Sequence, residues 1–375
     1  MGWMGRELRS TVDRCGTLTV SLDTVEVTEP GDDEVVVRVE ATPVNPSDIG
    51  LLLGPADLSS IETNESGSLS QVKLTVPRAH LASIAGRIGK SLPVGNEGAG
   101  TVIAAGRNAT LLQGRRVGMF GGAMYADYRK IKVADAIALP EGACAADGAS
   151  MFINPLTALG FVETANRNGH RAIIHNPAAS NLGQMLQRIC LADGIPLVNI
   201  VRSDPQMRIL RDLGASHVLN MKDERFGTSL LDAVAETGAT IAFDAVGGGK
   251  LGSDILLAME SASSRNSGTY SRYGSDVLKQ LYIYGSLDPA PTVLDRSALG
   301  YAWSVSAWLL FHYLRRIDPA TMQRLRQRVV EELTTTFASH YTRTVGLAEA
   351  LNPEVLRAFN RKATGEKFLI DPSRG

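Results

Sequence analysis

Apolar positions along the chain follow two rhythms. In the first 140 residues they alternate or gather in short blocks, at Leu18–Leu22, Glu34–Ala41, Leu92–Ala105, Arg115–Gly121, Met124–Lys132 and Ala136–Leu139. Pro30-Gly31-Asp32-Asp33 is a turn between the first two. Period-two patterning bounded by turn residues predicts strands, and this succession of them predicts a partly closed β-barrel. Thr42–Leu53 leaves its strand through two prolines and predicts a short helix capped by Ser47 or Asp48. Gly54–Ser91, rich in Ser, Thr, Asn and Gly, predicts a long surface insertion, lid or decoration, with one helix near Ala79–Ile88.

The rhythm changes at Ala172. Ala172–His175 is an apolar run, Asn176–Ser180 a small polar turn, and Leu182, Met185, Leu186 and Ile189 recur at helical spacing before a second buried run at Leu197–Val201. A strand, turn, helix and strand in that order cross over right-handed, so the helix N-terminus faces a crevice where free N–H groups and the helix dipole favour a pyrophosphate. Ile241–Asp244 and Gln280–Tyr284 read as further strands, ending in the turns Ala245–Gly249 and Gly285–Leu287. In an open parallel sheet those carboxyl ends line the ligand crevice. Helical spacing over Glu141–Asn166 leads into this region, stopping at Gly169. Ser297–Leu314 reads as buried strand and pocket wall, followed by a helix at Pro319–Leu333, a strand at Thr336–Val345, a helix capped near Asn352 and the tail Glu366–Ile370, which returns to the first domain. The expected class is α/β, with one domain from 1–153 and 312–375 (insertion 54–91) and another from 154–311.

The G-x-G-x-x-G positions of the phosphate turn hold Ala178, Ser180 and Gly183. Small residues keep close backbone approach possible there, and Ser180, Asn181 and Leu182 open the helix. About twenty residues on, at the end of the second strand, a site for an unphosphorylated ribose presents an acid; this chain has Arg202, followed by Ser203. A guanidinium favours a 2′-phosphate, so the expected cofactor is NADPH.

Composition narrows the picture further. The 375 residues suffice for two domains, and a net charge of −1 gives no broad attraction for nucleic acid or anionic membrane, neither of which is an expected partner. Cys15, Cys144 and Cys190 are far apart and form no C-x-x-C pair, so they are expected to be reduced packing residues. The N-terminus has no apolar signal core and no stretch is long enough to span a bilayer, which points to the cytoplasm.

Several motifs occur together in order: VNPSD at Val44–Asp48, GNEGAG at Gly95–Gly100, NPLTA at Asn154–Ala158, the turn His175–Gly183, VNIVRSDP at Val198–Pro205, LGASHV at Leu213–Val218 and TGEK at Thr364–Lys367. With these, the chain resembles the zinc-independent medium-chain dehydrogenases/reductases, near quinone oxidoreductases and the mitochondrial-type 2-enoyl thioester reductases. The resemblance implies a GroES-like, partly open β-barrel catalytic domain, a doubly wound parallel-sheet Rossmann domain and a homodimer. It places Asn45 and Thr157 near nicotinamide and substrate carbonyl, the turns Val246–Gly247 and Gly285–Ser286–Leu287 on the nicotinamide, and Lys367 on the cofactor ribose or phosphate. Where zinc-dependent relatives hold metal, this chain has Asn45, Asn96 and Asn154, and neutral amides are poor zinc ligands; no metal is expected.

One departure is chemical. The enoyl thioester reductases carry a proton-donating tyrosine in a G-x-Y turn after the NPSD helix; here the turn is Gly54-Pro55-Ala56. Tyr125, Tyr273 and Tyr284 are the replacement candidates. The expected activity is metal-free hydride transfer from NADPH to an activated C=C of an enone or enoyl thioester. The alternatives are quinone reduction and, in a different class, an NADPH-binding sensor or interaction protein without turnover. Trp303, Trp308, Leu309, Leu310, Phe311 and Tyr313 read as core or interface packing; any part facing the crevice would suit a small apolar or aromatic carbonyl substrate.

Overall fold

The chain begins in sheet. In the computed structural model, which describes residues 2–63, 71–267, 270–361 and 364–374, ten strands precede the nucleotide-type region: β1 (Trp3–Val12), β2 (Thr17–Val27), β3 (Glu34–Pro43), β4 (Asp57–Thr63), β5 (Gln71–Thr75), β6 (Ser91–Pro93), β7 (Glu97–Ala105), β8 (Arg116–Phe120), β9 (Tyr128–Lys132) and β10 (Ala136–Ala138). β1 lies in the N-terminal stretch that carries no clear alternation, and pairs with β2 along its whole length, from Trp3 opposite Val27 to Val12 opposite Leu18.

Gly54–Ser91 is not the surface excursion its composition predicts. β4 and β5 pair with each other, β5 joins β2, and β6 joins β1, giving the five-stranded order β4-β5-β2-β1-β6. Val72 and Leu74 alternate inward on β5 with Lys73 outward, so a polar segment still anchors itself by two buried side chains. Each such side chain contributes about 1.5–3 kcal/mol of burial. Residues 64–70 of the insertion lie outside the described residues. The helical part is short, Arg78–Leu81 running into a 3₁₀ turn at Ala82–Arg87.

A second compact unit spans Asn154–Val329. Its strands, β11 (Ile173–Asn176), β12 (Leu197–Val201), β13 (His217–Asn220), β14 (Ile241–Asp244), β15 (Lys279–Ile283) and β16 (Trp303–Ala307), are all parallel, in the order β13-β12-β11-β14-β15-β16. This order reverses direction at β11, which makes the crevice between the ends of β11 and β14 the topological switch point. The core behind it is aliphatic, with Ile174, Val198, Ile200, Ala242 and Leu281 packed on Leu230, Ile255 and Met259. β16 is the outer strand, and its last residues, Ser306 and Ala307, are exposed; Ser297–Leu314 is therefore an edge rather than a buried strand. Trp308 and Tyr313 turn inward, Trp308 edge-on to Phe161 and stacked on Tyr313.

The chain rejoins the first unit at Val330, later than the expected 312. The helix Pro319–Glu331 is held in the second unit by Arg324 on Glu163 and Arg328 on Asp193, ion pairs that amphipathic spacing alone does not reveal. Of the strand expected over Thr336–Val345 only β17 (Arg343–Val345) forms; it pairs with β18 (Phe368–Ile370), which pairs with β3. The resulting order is β10-β8-β7-β3-β18-β17, with β9 also on β3. Cys15 and Cys144 are exposed free thiols and only Cys190 packs inside, so the expectation of three packing cysteines holds for one.

Candidate active site

In the barrel unit the site is built around a buried carboxylate. Glu97 starts β7, and its carboxylate accepts Asn45 Nδ2 at 2.8 Å, Phe152 N at 2.9 Å and Ile153 N at 2.9 Å. Asn45, not Ser47 or Asp48, is the N-cap of the short helix Pro46–Leu52. Asp48 sits at the third helical position and accepts the Asn45 N–H at 2.9 Å, the return half of a capping box. Asp48 Oδ1 also accepts Asn96 N at 2.9 Å and Asn96 Nδ2 at 2.6 Å. The amides of Asn45 and Asn96 thus serve as hydrogen-bond donors to carboxylates. Among the described residues no group of three or more His, Cys, Asp or Glu side chains is arranged to hold a metal ion.

Two buried acids in one unit need compensation. Burial pushes the Asp48 carboxyl up to about 7, reinforced by the charge of Glu97 and opposed by its hydrogen bonds. Burial raises Glu97 as well, opposed first by the charge of Lys367. Lys367 in turn is pushed down to about 8 by burial, against the pull of Glu97 and Asp48. Asn45, Glu97, Asp48 and Lys367 therefore form one electrostatic cluster, which brings together two expected site residues, Asn45 and Lys367, with Asp48, expected as a helix cap, and Glu97, seen as part of the GNEGAG motif.

Of the replacement tyrosines, Tyr125 adjoins Asp48 of this cluster, and Tyr273 and Tyr284 belong to the second unit. Tyr125 is fully buried in the barrel core, its hydroxyl donates to Pro43 O at 3.1 Å, and burial raises its pKa well above the usual phenol value. It faces Asp48 from the interior, so the expectation that it offers a phenolic proton to a substrate meets a sealed side chain. Tyr273 is exposed and packs edge-on against Tyr301. Tyr284 bonds His175 Nε2 at 2.7 Å inside an aromatic cluster with Phe161. Burial keeps that imidazole neutral, its pKa near 3. Ala56, at the tyrosine position of the G-x-Y turn, packs against the barrel core.

Sequence reasoning missed a second polar group in the barrel unit. Tyr341 OH lies 2.7 Å from Ser150 Oγ and also hydrogen-bonds Ser339. Lys367 Nζ donates to Ser339 Oγ at 3.4 Å and sits 5.5 Å from the centre of the Tyr341 ring. The only available signal was the polar run Ser339-His340-Tyr341 inside a segment read as strand.

In the nucleotide-type unit the expected turns meet at the carboxyl ends of the strands. Ser180 is the N-cap of the helix Asn181–Ala192, its Oγ accepting Gly183 N at 3.1 Å; Leu182 is buried behind it. A Cβ on Gly183 would stand 2.1 Å from Ala178 O, which explains why glycine survives at this one fingerprint position. Arg202 is exposed just past β12, its N–H bonded to Gln206 Oε1 at 3.0 Å, and Ser203 caps the next helix. Asp244 accepts Val246 N at 2.7 Å and Gly247 N at 3.2 Å. Gly247 has φ +77°, and a Cβ there would meet Gly285 O at 2.9 Å. Leu287 N bonds Ala245 O at 3.0 Å, so the two turns are stitched together and leave Ser286 and Leu287 exposed. Thr157 is buried on the helix Ile153–Arg167.

A nucleotide-type sheet with this switch-point crevice and a barrel unit assembled from both ends of the chain make a GroES-like plus Rossmann fold, which solved reductase structures share. The resemblance to quinone oxidoreductases and mitochondrial-type enoyl thioester reductases recurs in comparisons of sequence and structure. The chain is 29% identical over 217 residues, 54% of its length and 53% of the other's, to a mitochondrial enoyl-acyl-carrier-protein reductase of Xenopus tropicalis; it spans about half the length of the curated relatives it matches. A proposed NADPH:quinone reductase of Mesorhizobium loti superposes with a TM-score of 0.73 at 24% identity, covering 98% of both chains. The Etr1p complex with NADP and crotonyl-CoA superposes at 0.67 with 17% identity, covering 98% of this chain and 100% of that one. No family model matches the chain.

Proposed function

We propose that the protein is an NADPH-dependent, metal-free reductase that transfers hydride to an activated C=C of an enone or enoyl thioester. The observation that carries the cofactor assignment is Arg202, exposed at the end of β12 where a ribose 2′-phosphate would lie. The site fits the cofactor: the Ser180 helix N-terminus meets the pyrophosphate, and the stitched turns Val246–Gly247 and Gly285–Leu287 offer backbone groups to the nicotinamide. Bound there, the nicotinamide supplies the hydride. Within the barrel unit the reading gives Asn45 to the substrate carbonyl and Lys367 to the cofactor ribose or phosphate; within the second unit it gives Thr157 to the nicotinamide. The relatives named as enoyl reductases support the alkene as acceptor, while the quinone-reductase fold match supports quinone reduction as the second reading. The open edge of β16 supports a homodimer.

Anaerobic NADPH oxidation with a medium-chain 2-enoyl-CoA, small enones and quinones, compared with NADH and followed by product mass, tests the proposal. A saturated carbonyl product with NADPH preferred is expected. Hydroquinone alone selects the second reading, and tight NADPH binding without turnover on any acceptor overturns both in favour of a binding protein.

A further inference from the structure

An alkene reduction needs a proton as well as a hydride. Tyr125 is sealed, Tyr273 belongs to an exposed aromatic pair and Tyr284 is tied to His175, which leaves the donor unassigned. We propose that Tyr341 is the proton donor of the reductase, held by Ser150 and resupplied from Lys367 through Ser339. The inference rests on the ene-reductase reading.

The geometry is a continuous line of hydrogen-bonding groups within the barrel unit. Ser150 Oγ stands 2.7 Å from Tyr341 OH and fixes the direction of the phenol. Ser339 touches the same phenol and lies 3.4 Å from Lys367 Nζ. A serine hydroxyl both accepts and donates, so it passes a proton between the two without moving far. Lys367 is tied by charge to Glu97, whose carboxylate accepts Asn45 Nδ2, Phe152 N and Ile153 N, so the line ends in the buried Glu97–Asn45 cluster, to which the proposed function gives the substrate carbonyl. Tyr341 is partly accessible, unlike Tyr125. It precedes β17 in a segment without strand pairing, where its side chain is free of the sheet's inward–outward alternation.

The step balances. Hydride adds to the β-carbon, and the π pair of the C=C shifts to give an enolate. The Tyr341 O–H bond breaks, its proton forms the new C–H bond at the α-carbon, and the phenolate remains. The Lys367 ammonium returns a proton through Ser339, and solvent reprotonates Lys367. Burial keeps the free phenol protonated, which suits a group that must hold its proton until the enolate forms, and it makes the ammonium a readier acid than an exposed lysine.

The test compares Tyr341→Phe with the wild-type chain in single-turnover reduction of a 2-enoyl-CoA, with NADPH affinity measured by fluorescence. The proposal expects alkene reduction to fall by about 100-fold or more, within the range that general acids contribute, with NADPH affinity nearly unchanged. The solvent deuterium isotope effect on steady-state turnover should differ between the wild-type chain and Ser339→Ala, which keeps the phenol but breaks the resupply line. Should Tyr341→Phe fail to fold, Ser150→Ala is expected to slow protonation in the single turnover and Ser339→Ala to slow steady-state turnover, each by about 10-fold, below the range a general acid itself contributes. Alkene reduction in Tyr341→Phe within a few-fold of wild type, or an unaltered isotope effect in the serine variants, overturns the proposal. A wild-type chain that reduces no activated alkene overturns the underlying reading, and the donor assignment falls with it.

Discussion

Arg202 and Lys367 show how far single residues speak. Arg202 is informative because strand order places it at the end of β12, where the proposed reading puts the ribose 2′-phosphate. Arg202→Ala is expected to weaken NADPH binding by about 10- to 100-fold while leaving NADH binding nearly constant, since a charge-assisted pair is worth roughly 1.5–3 kcal/mol; fluorescence titration with both cofactors checks it. Lys367 was visible in TGEK, but its chemistry depends on burial beside Glu97 and Asp48. Its pKa is depressed to about 8, so the ammonium is lost as pH rises through that value. Between there and the ordinary lysine range the unfolded chain binds the proton better than the folded one, so this group's contribution to stability rises with pH across that window. Reductase activity is expected to fall above about pH 8, and Lys367→Arg, whose guanidinium stays charged but releases no proton, should remove that falling limb from the pH–rate profile while lowering turnover. Tyr341, Ser150 and Ser339 had no comparable signal, because residues at 150, 339, 341 and 367 meet only when both ends of the chain fold into one unit.

At the scale of elements, the turn from β11 into the helix Asn181–Ala192 is the part most legible in the sequence. Apolar periodicity located it, and the lone glycine at position 183 has a steric cause. Gly183→Ala drives a methyl against Ala178 O and is expected to cost about 1–3 kcal/mol, together with most NADPH affinity, because the helix N-terminus must shift; thermal melts with and without NADPH measure both. The segment Gly54–Ser91 shows the opposite case. Its polar composition hides strands that stay in place because β2 and β1 offer open edges and Val72 and Leu74 find core. Partners decide whether such a sequence pairs, and composition does not record partners.

For the whole molecule, the open edge of β16 leads to a concrete expectation. The chain should sediment as a homodimer, and Ala307→Arg, placing a charge on the exposed end of that strand, should shift it to monomer; sedimentation velocity reads the difference, and a monomeric wild type would sink the homodimer reading. No helix among the described residues is long and apolar enough to cross a membrane. By itself the sequence determined the alternation of strand-rich and α/β regions, the strand–turn–helix–strand of the nucleotide-type crevice and the position of Arg202, since these follow from local periodicity and short-range turn chemistry. Only the tertiary structure decided that Val330, rather than residue 312, is where the chain re-enters the barrel unit, that Tyr125 is fully buried while Tyr341 is partly exposed, and that Glu97, Asp48 and Lys367 share one field. Those facts depend on burial and on contacts between residues hundreds of positions apart, and neither quantity exists until the chain has folded.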